Sequence, residues 1–263
     1  MPDAPWALVT GASRGLGSSL AVALARTGYQ VVTCARSQER LEEQAEIARA
    51  AGLTLHPVVA DVTDESSVDS LFTEVERLAG RLDLCVNNAG TNNSHQLVRA
   101  TSDPEQLHRY PLQDWRTTID LCLTGTFLVG RAAAAMMVRQ SSGVIVNISS
   151  AVRHGAYGQS AYAAAKAGVE SLTRTWSWEL GEHGVRVVAI APGVLDGERL
   201  RERIAASERH RAYMAALKTQ TPLQRWAETD DVCDAVIFAA SHDSVTGTVL
   251  EVHCGGIPPR VRI

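Results

Sequence analysis

Residues 6–28, WALVTGASRGLGSSLAVALARTG, contain a short apolar run, a glycine-rich turn and a helical pattern. Glycines at a strand-to-helix turn allow tight backbone angles and let N–H groups approach a pyrophosphate, which a helix N-terminus also favours. The spacing is Gly-x-x-x-Gly-x-Gly rather than Gly-x-Gly-x-x-Gly, and such a turn can also serve tight packing alone. We interpret it as a dinucleotide-type turn, with the candidate contacts Gly11, Ser13, Arg14, Gly15, Leu16 and Gly17.

The same alternation of strand and helix continues along the chain. Further strands are predicted at Gln30–Ala35, Leu53–Ala60, Leu82–Val86, Gly143–Ile148, Val185–Ala191 and Thr248–Val252. The pattern predicts an α/β fold with a single Rossmann-type, doubly wound, mostly parallel sheet flanked by helices. Residues 1–263 show no linker, repeat or low-complexity segment, so we expect a single domain with a mobile amphipathic lid at about 196–220.

The residue after the second strand indicates the coenzyme. In a Rossmann unit an acidic residue there accepts from a free ribose 2′-hydroxyl, whereas an arginine suits a 2′-phosphate. This chain has Arg36 and no acid, and Arg14 in the first turn can reach the same phosphate. The pattern therefore predicts NADP(H), although both arginines could be ordinary surface residues. Asp61 ends the third strand, where it could accept from adenine, cap the following turn, or do both.

The segment Ser150–Lys166 contains the candidate catalytic residues. Its second half is rich in alanine and predicts a helix, so Tyr162 and Lys166, four residues apart, lie on one face. An ammonium beside a phenol stabilises the phenolate and helps the pair to give or take a proton. The strand VIVNISS delivers Ser150 to the same mouth, where its hydroxyl can donate to a substrate oxygen.

Composition excludes several classes of function. The 263 residues carry a net charge of −4, and the arginines are scattered along the sequence. This pattern does not predict the basic patch of a nucleic-acid-binding protein. The five cysteines are far apart and the eight histidines have no ligand spacing, so we expect no disulfide framework and no metal site. The N-terminus has no export signal and we found no apolar run of membrane-spanning length, so we expect a soluble cytoplasmic protein without a membrane partner.

Six motifs in order carry a resemblance to a known family. They are TGASRGLG (10–17), DV (61–62), NNAG (87–90), NISS (147–150), YAAAK (162–166) and APG (191–193), spread over nearly the whole chain. This set resembles the short-chain dehydrogenase/reductase family. The resemblance implies hydride transfer between NADP(H) and a small carbonyl or alcohol substrate, most often ketone reduction. It also implies a homo-oligomer, either a dimer or a tetramer.

The resemblance also assigns roles to residues. Ser150 would polarise the carbonyl, Tyr162 would supply the proton, and Lys166 would support the tyrosine while it binds the nicotinamide ribose. The implied cofactor contacts, beyond the glycine turn and Arg36, are Asp61, Val62, Asn88, Ala89, Gly90, Tyr162, Lys166, Pro192, Gly193 and Leu195.

Two positions depart from the family pattern. Cys122 stands where relatives usually carry an asparagine that holds a proton relay, and a thiol cannot substitute closely for an amide. Gly197 stands where a threonine often contacts the carboxamide. Three interpretations remain: an enzyme with a rerouted relay, which we favour, a slowed enzyme, or a cofactor-binding sensor or scaffold without turnover. A dehydratase or epimerase of the same fold has little specific support.

Substrate choice is expected to depend on variable segments. The polar stretch 91–114 is long for this connection and is predicted to lie near the pocket mouth or a subunit contact, with disorder as the alternative. The loop 153–159 brings Arg153, His154 and Tyr157 to the substrate entrance, or leaves them on the surface.

Overall fold

A parallel sheet forms the centre of the fold in the computed structural model, which describes residues 4–101, 103 and 106–256. The strands in this part of the chain are β1 (Trp6–Thr10), β2 (Gln30–Ala35), β3 (Leu55–Val59), β4 (Leu84–Asn87), β5 (Val98–Ala100), β6 (Leu107–Arg109), β7 (Gly143–Ile148), β8 (Val185–Pro192) and β9 (Val249–Val252). Seven of them pair in the order β3-β2-β1-β4-β7-β8-β9, and every pair in this sheet is parallel. The central strands end within two residues of the sequence-based prediction.

Helices cover both faces of the sheet. They are α1 (Gly15–Arg26), α2 (Gln38–Ala50), α3 (Glu65–Ala79), α4 (Leu112–Ile119), α5 (Gly125–Gln140), α6 (Ser160–Leu180), α7 (Glu198–Ala206), α8 (Glu208–Gln220) and α9 (Thr229–Ser241). Successive side chains of a strand point to opposite faces, so Leu8 packs with α3 and α5 while Val9 packs with α1 and α9. The predicted doubly wound α/β fold is confirmed.

The helical run 112–140 is not a single regular α-helix. It begins at Leu112, and a π-helical turn, Asp120–Thr124, joins α4 to α5 without a break. The run is long and apolar enough to cross a membrane by length and composition, which the sequence analysis overlooked. Half of its most apolar window is nevertheless buried inside the protein.

The long segment after β4 is folded in its described residues. β5 and β6 form an antiparallel hairpin with exposed side chains. The segment is fastened to the turn before α6: the His95 N–H donates to the Gly158 carbonyl at 2.8 Å, and Asn92 Nδ2 donates to Gln159 Oε1 at 2.9 Å. It therefore lies beside the start of the helix that carries Tyr162, near the predicted pocket mouth.

The predicted lid consists of α7 and α8. Ser207 caps α8 by accepting a hydrogen bond from the His210 N–H at 3.2 Å. Met214, Leu217 and Trp226 form a small buried cluster separate from the two layers of the main core. The segment of α7 and α8 therefore has apolar packing of its own.

Candidate active site

The functional motifs meet at the carboxyl edge of the sheet. β1, β4, β7 and β8 are parallel, so the residues that follow them lie on the same edge. Chain connectivity reverses direction between β1 and β4, and such a switch point opens a crevice in which α/β proteins bind ligands. The residues after these strands belong to the glycine turn and to the NNAG, NISS and APG motifs.

The glycine turn packs directly against the NNAG segment. Gly11 has φ +66°, and a Cβ there would lie 2.8 Å from the Ala89 Cα. A Cβ at Gly17 would lie 2.3 Å from the Gly11 carbonyl oxygen. Asn88 Nδ2 donates to the Thr10 carbonyl at 2.9 Å, which ties the two segments together. Both glycines are thus required by close backbone approach, which keeps side chains out of a cradle in front of the N-terminus of α1.

The remaining residues of the turn are available at the surface. Arg14 is the N-cap residue of α1 and is exposed, and Gly15 next to it has φ +57°. Ser13 and Leu16 are half-buried. This cradle fits a dinucleotide pyrophosphate, because backbone N–H groups at a helix N-terminus bind phosphate oxygens.

Asp61 and Arg36 face each other beyond the carboxyl ends of β3 and β2. Asp61 Oδ1 accepts from the Thr63 N–H at 3.0 Å and from Thr63 Oγ1 at 2.8 Å, so this carboxylate caps its turn, one of the two roles considered. Its other oxygen lies 3.9 Å from a guanidinium nitrogen of Arg36, whose side chain is exposed. Val62, the next residue, is buried and packs against Gly125. Arg36 therefore stays accessible at the end of β2.

Tyr162 and Lys166 lie one turn apart on α6. Lys166 is only 2% exposed, and its Nζ donates to the carbonyl of Ile148, the last residue of β7, at 2.6 Å. The same ammonium lies 5.5 Å from the centroid of the Tyr162 ring. Tyr162 itself is half-buried. The sheet edge thus holds the cation in place, while the phenol remains within reach of a ligand.

The two serines after β7 have different partners. Ser150 continues the extended backbone, and its Oγ accepts from the Val152 N–H at 3.3 Å. Ser149 Oγ donates to Glu170 Oε1 at 2.8 Å and contacts the Lys166 carbonyl oxygen at 3.2 Å, so it is tied to α6. Only Ser150 keeps its hydroxyl hydrogen free of these contacts with α6.

Cys122 lies in the π-helical turn and is fully buried. Its thiol donates to the Thr91 carbonyl at 3.2 Å and accepts from the Thr91 N–H at 3.3 Å. The sulfur lies 3.4 Å from where a Cβ on Gly90 would stand, and Lys166 Nζ lies 3.8 Å from that point. The thiol thus provides the donor and the acceptor that an amide could offer to this backbone, although each bond is weaker. π-helical turns of this kind are frequent at functional sites.

The Arg153 side chain is buried, which differs from both positions considered for it, the substrate entrance and the loop surface. It forms ion pairs with Glu170 and Glu251. His154 and Tyr157 are exposed, with Tyr157 82% accessible. The sequence analysis missed both glutamates. The position of Glu170, one helical turn beyond Lys166, was the available signal, whereas nothing local to Glu251 indicated its partner.

The APG segment closes the other side of the crevice. The Gly193 N–H donates to the Val252 carbonyl at 2.9 Å, and a Cβ on Gly193 would lie 2.8 Å from the His253 Cβ. Leu195 makes an isolated bridge with Ala227, and Pro192 is buried. Gly197 is the N-cap residue of α7. Because glycine has no side chain, this helix lacks a side-chain cap.

Two buried cysteines outside this site, Cys34 and Cys233, have raised pKa values. Burial raises the pKa of Cys34 to about 12, with a further contribution from Asp61. Burial also raises the pKa of Cys233 to about 12, to which Asp230 and Asp234 contribute. Thiols with such a raised pKa are poor nucleophiles at neutral pH. Within the described residues, no group of three or more histidine, cysteine or acidic side chains could hold a metal ion.

Comparison with known proteins assigns the family. The model of the short chain dehydrogenase family matches residues 5–208, well over half of the chain. The protein belongs to this family. The 3-oxoacyl-[acyl-carrier-protein] reductase FabG of Staphylococcus aureus is 38% identical over 253 residues, covering 95% of this chain and 96% of the relative. Gluconate 5-dehydrogenase of Gluconobacter oxydans is 35% identical over 254 residues, covering 95% and 93%.

Solved structures of relatives have the same fold. A crystal structure of NAD⁺-bound xylitol dehydrogenase superimposes with a TM-score of 0.85 at 27% identity, covering 96% of this chain and 98% of that chain. The protein therefore belongs to a family of oxidoreductases that work with a nicotinamide cofactor. The glycine cradle fits such a cofactor because Gly11, Gly15 and Gly17 carry no Cβ atoms that would keep a phosphate away from the backbone N–H groups.

Proposed function

We propose that this protein is an NADP(H)-dependent oxidoreductase that interconverts a ketone and a secondary alcohol, most often as a reductase. The observation that carries the proposal is the buried Lys166, held by the end of β7 within 5.5 Å of the Tyr162 ring. This arrangement sets a proton donor and a cation beside the crevice at the strand switch point. Consumption of NADPH over a panel of ketones tests it.

The chain's own residues divide into a binding set and a reacting set. The proposed cofactor contacts are Gly11, Ser13, Arg14, Gly15, Leu16, Gly17, Arg36, Asp61, Val62, Asn88, Ala89, Gly90, Tyr162, Lys166, Pro192, Gly193 and Leu195. When bound, the nicotinamide supplies the hydride. Ser150 Oγ donates to the substrate oxygen, and Tyr162 gives that oxygen its proton as negative charge develops there. Lys166 stabilises the phenolate that remains on Tyr162.

The preference for NADP(H) depends on the arginines. Arg36 follows β2, no acidic residue stands at that position, and Arg14 is exposed in the first turn. The relative bound to NAD⁺ shows that the fold accepts the other coenzyme, so the choice is made by local residues. Asp61, at 3.9 Å from Arg36, offsets part of the positive charge.

Replacing the arginine after β2 tests this preference. Arg36→Ala is expected to lower kcat/KM with NADPH by about 10- to 100-fold, because a hydrogen bond to a charged group contributes about 1.5–3 kcal/mol. The value with NADH should stay within about twofold. Arg40→Ala, an exposed arginine in the first turns of α2, is the matched control. An equal loss with both coenzymes would contradict the assignment.

The Cys122 thiol is proposed to support catalysis through backbone hydrogen bonds. Cys122→Ala removes both bonds to Thr91 and is expected to lower kcat by about 2- to 10-fold, since one net hydrogen bond is worth about 0.5–1.5 kcal/mol. Cys122→Ser keeps a donor and an acceptor and should stay close to the wild type. Steady-state kinetics of the two variants provide the measurement. Equal kcat values for Cys122→Ala and Cys122→Ser would show that the hydrogen bonds to Thr91 do not contribute to catalysis.

A cofactor-binding protein without turnover is the second candidate, favoured by Cys122 and Gly197. Titration of NADPH fluorescence together with the consumption assay separates the two. The names of two relatives contain 3-oxoacyl-[acyl-carrier-protein] and gluconate, so the panel should contain a β-keto thioester and a keto acid of a sugar. Tight binding without consumption across the panel would favour the second candidate.

We further propose a single domain over residues 1–263, a lid at about 196–220, a cytoplasmic location and a homo-oligomer.

An apolar groove between α5 and α6 supports the oligomer; it is lined by Leu123, Thr124, Phe127, Gly168, Ser171 and Leu172. Trp178 on α6 is 76% exposed. Light scattering after size-exclusion chromatography should give the mass of a dimer or a tetramer, and the mass of one chain would contradict it.

A further inference from the structure

Four titratable side chains meet behind Ser150. Arg153 lies in the 3₁₀ turn Ala151–His154, which follows Ser150 directly, and its side chain is only 6% exposed. Its Nε lies 2.7 Å from Glu170 Oε1, as an ion pair that is not aligned as a hydrogen bond. Its Nη2 binds Glu251 Oε1, and the other oxygen of Glu251 lies 2.7 Å from His253 Nε2. We refer to Arg153, Glu170, Glu251 and His253 as the charged cluster.

Each member of the cluster belongs to a different part of the site. Glu170 lies on α6, one turn after Lys166, and accepts from Ser149 Oγ at 2.8 Å. Glu251 lies in β9, at the edge of the sheet. His253 packs against Gly193 in the APG segment. The cluster therefore connects three parts of the site. They are residues 150–155, which we call the serine turn, the helix α6, which carries Tyr162 and Lys166, and the APG segment (191–193), which is proposed to contact the cofactor.

Among the residues that the structure describes, Arg153 is the cation that pairs with both carboxylates. A buried charge that loses its partner is costly, and two carboxylates left facing each other repel. Partial burial acts to raise the pKa of Glu251, but hydrogen bonds from His253 and Arg153 outweigh it and hold that pKa below its usual range. The guanidinium thus has a strongly preferred position between α6 and β9.

The serine turn is attached to this guanidinium. Arg153 Nη1 donates to the Ser150 carbonyl at 3.4 Å, and the Arg153 N–H donates to the same carbonyl at 3.1 Å. The Val152 N–H donates to Ser150 Oγ. Displacing Arg153 would therefore disturb both the backbone and the hydroxyl of Ser150.

We propose that Arg153 is a positioning residue, whose guanidinium, held by Glu170 and Glu251, fixes the orientation of the Ser150 hydroxyl toward the substrate oxygen. This inference rests on the proposed function, because it assigns Ser150 its role. Arg153 itself touches neither substrate nor cofactor; it acts through Ser150.

Kinetics of Arg153→Met test the coupling. This change is expected to lower kcat by at least 10-fold while the Kd for NADPH stays within twofold. In a Ser150→Ala background the same change should have less than a twofold effect, because the group on which it acts is already absent. Arg186→Met is the matched control: Arg186 donates to three carbonyls around the end of α9, so its loss should lower Tm and leave kcat nearly unchanged. Equal losses of kcat in both backgrounds would overturn the proposal.

Amide hydrogen exchange provides a readout that needs no turnover. The amides of Val152, Arg153 and Gly155 close the serine turn and should exchange at least 10-fold faster in Arg153→Met, while amides of β7 keep their rates. Unchanged rates in the turn would overturn the proposal. If the wild type consumes no NADPH on any carbonyl, the proposed function fails, and the exchange result still decides whether Arg153 holds the turn.

A conservative variant keeps the proposal testable if Arg153→Met does not fold. Arg153→Lys keeps the charge but replaces the planar guanidinium with a compact ammonium, which does not reproduce the fork that reaches two carboxylates and a carbonyl. It is expected to show the same two effects to a smaller degree, with kcat between those of the wild type and Arg153→Met. Wild-type kcat together with wild-type exchange rates in Arg153→Lys would overturn the role of the bridging geometry.

Discussion

Tyr162→Phe is expected to lower kcat by about 10²- to 10⁴-fold, the range that a positioned general acid contributes. The substitution keeps the ring, its half-buried position on α6 and its approach to the Lys166 ammonium, while it removes the hydroxyl that delivers the proton. Because no binding contact of the glycine cradle changes, the Kd for NADPH should stay within about threefold. Steady-state consumption of NADPH and a fluorescence titration measure the two quantities.

The chain offers a matched control for this experiment. Tyr157 lies five residues upstream and is 82% exposed, so Tyr157→Phe makes the same chemical change outside the proposed centre. It should leave kcat unchanged. A Tyr162→Phe enzyme that retains wild-type kcat would show that the proton comes from another group.

Lys166→Met is the change with the second largest expected effect. Methionine fills similar space in the buried position but provides no ammonium near the Tyr162 ring and no donor to the Ile148 carbonyl. Without the cation, the phenolate that forms in the reaction is less stable, so kcat should fall by about 10²-fold or more. In contrast to Tyr162→Phe, the Kd for NADPH should also rise, because Lys166 is proposed to bind the ribose.

Stability separates a catalytic loss from unfolding in this variant. The lost hydrogen bond costs about 1–3 kcal/mol, and removal of a buried charge offsets part of it. Thermal unfolding should therefore shift by only a few degrees. Lys218→Met, at the other lysine of the chain, is exposed and should behave as wild type. Wild-type kcat in a folded Lys166→Met protein would contradict the proposed role of the ammonium.

Much of the fold was predictable because it depends on local chemistry. Apolar runs of strand length, separated by amphipathic helices, predict β1, β2, β7 and β8 almost to the residue. The close approach of Gly11 and Gly17 explains the glycines of the first turn. Tyr162 and Lys166 share a helical face because the period of an α-helix places residues four apart together.

The errors concerned residues whose partners are distant in sequence. The sequence analysis placed Arg153 either at the substrate entrance or on the loop surface, yet its partner Glu251 lies 98 residues further along the chain. Cys122 seemed a poor replacement for an amide, but the π-helical turn brings its sulfur to both polar groups of the Thr91 backbone. The hairpin of β5 and β6 has short, exposed strands, which carry little hydrophobic pattern.

The sequence by itself determined the alternation of strands and helices, the glycine cradle and the tyrosine and lysine on one helical face, since each depends on residues within a few positions of one another. Only the tertiary structure decided which side chains complete the site. The parallel order of β1, β4, β7, β8 and β9 brings the ends of distant strands together, so that Arg153 meets Glu251 and Lys166 meets the Ile148 carbonyl. Pairings of this kind arise from strand order in space, which no local pattern of residues encodes.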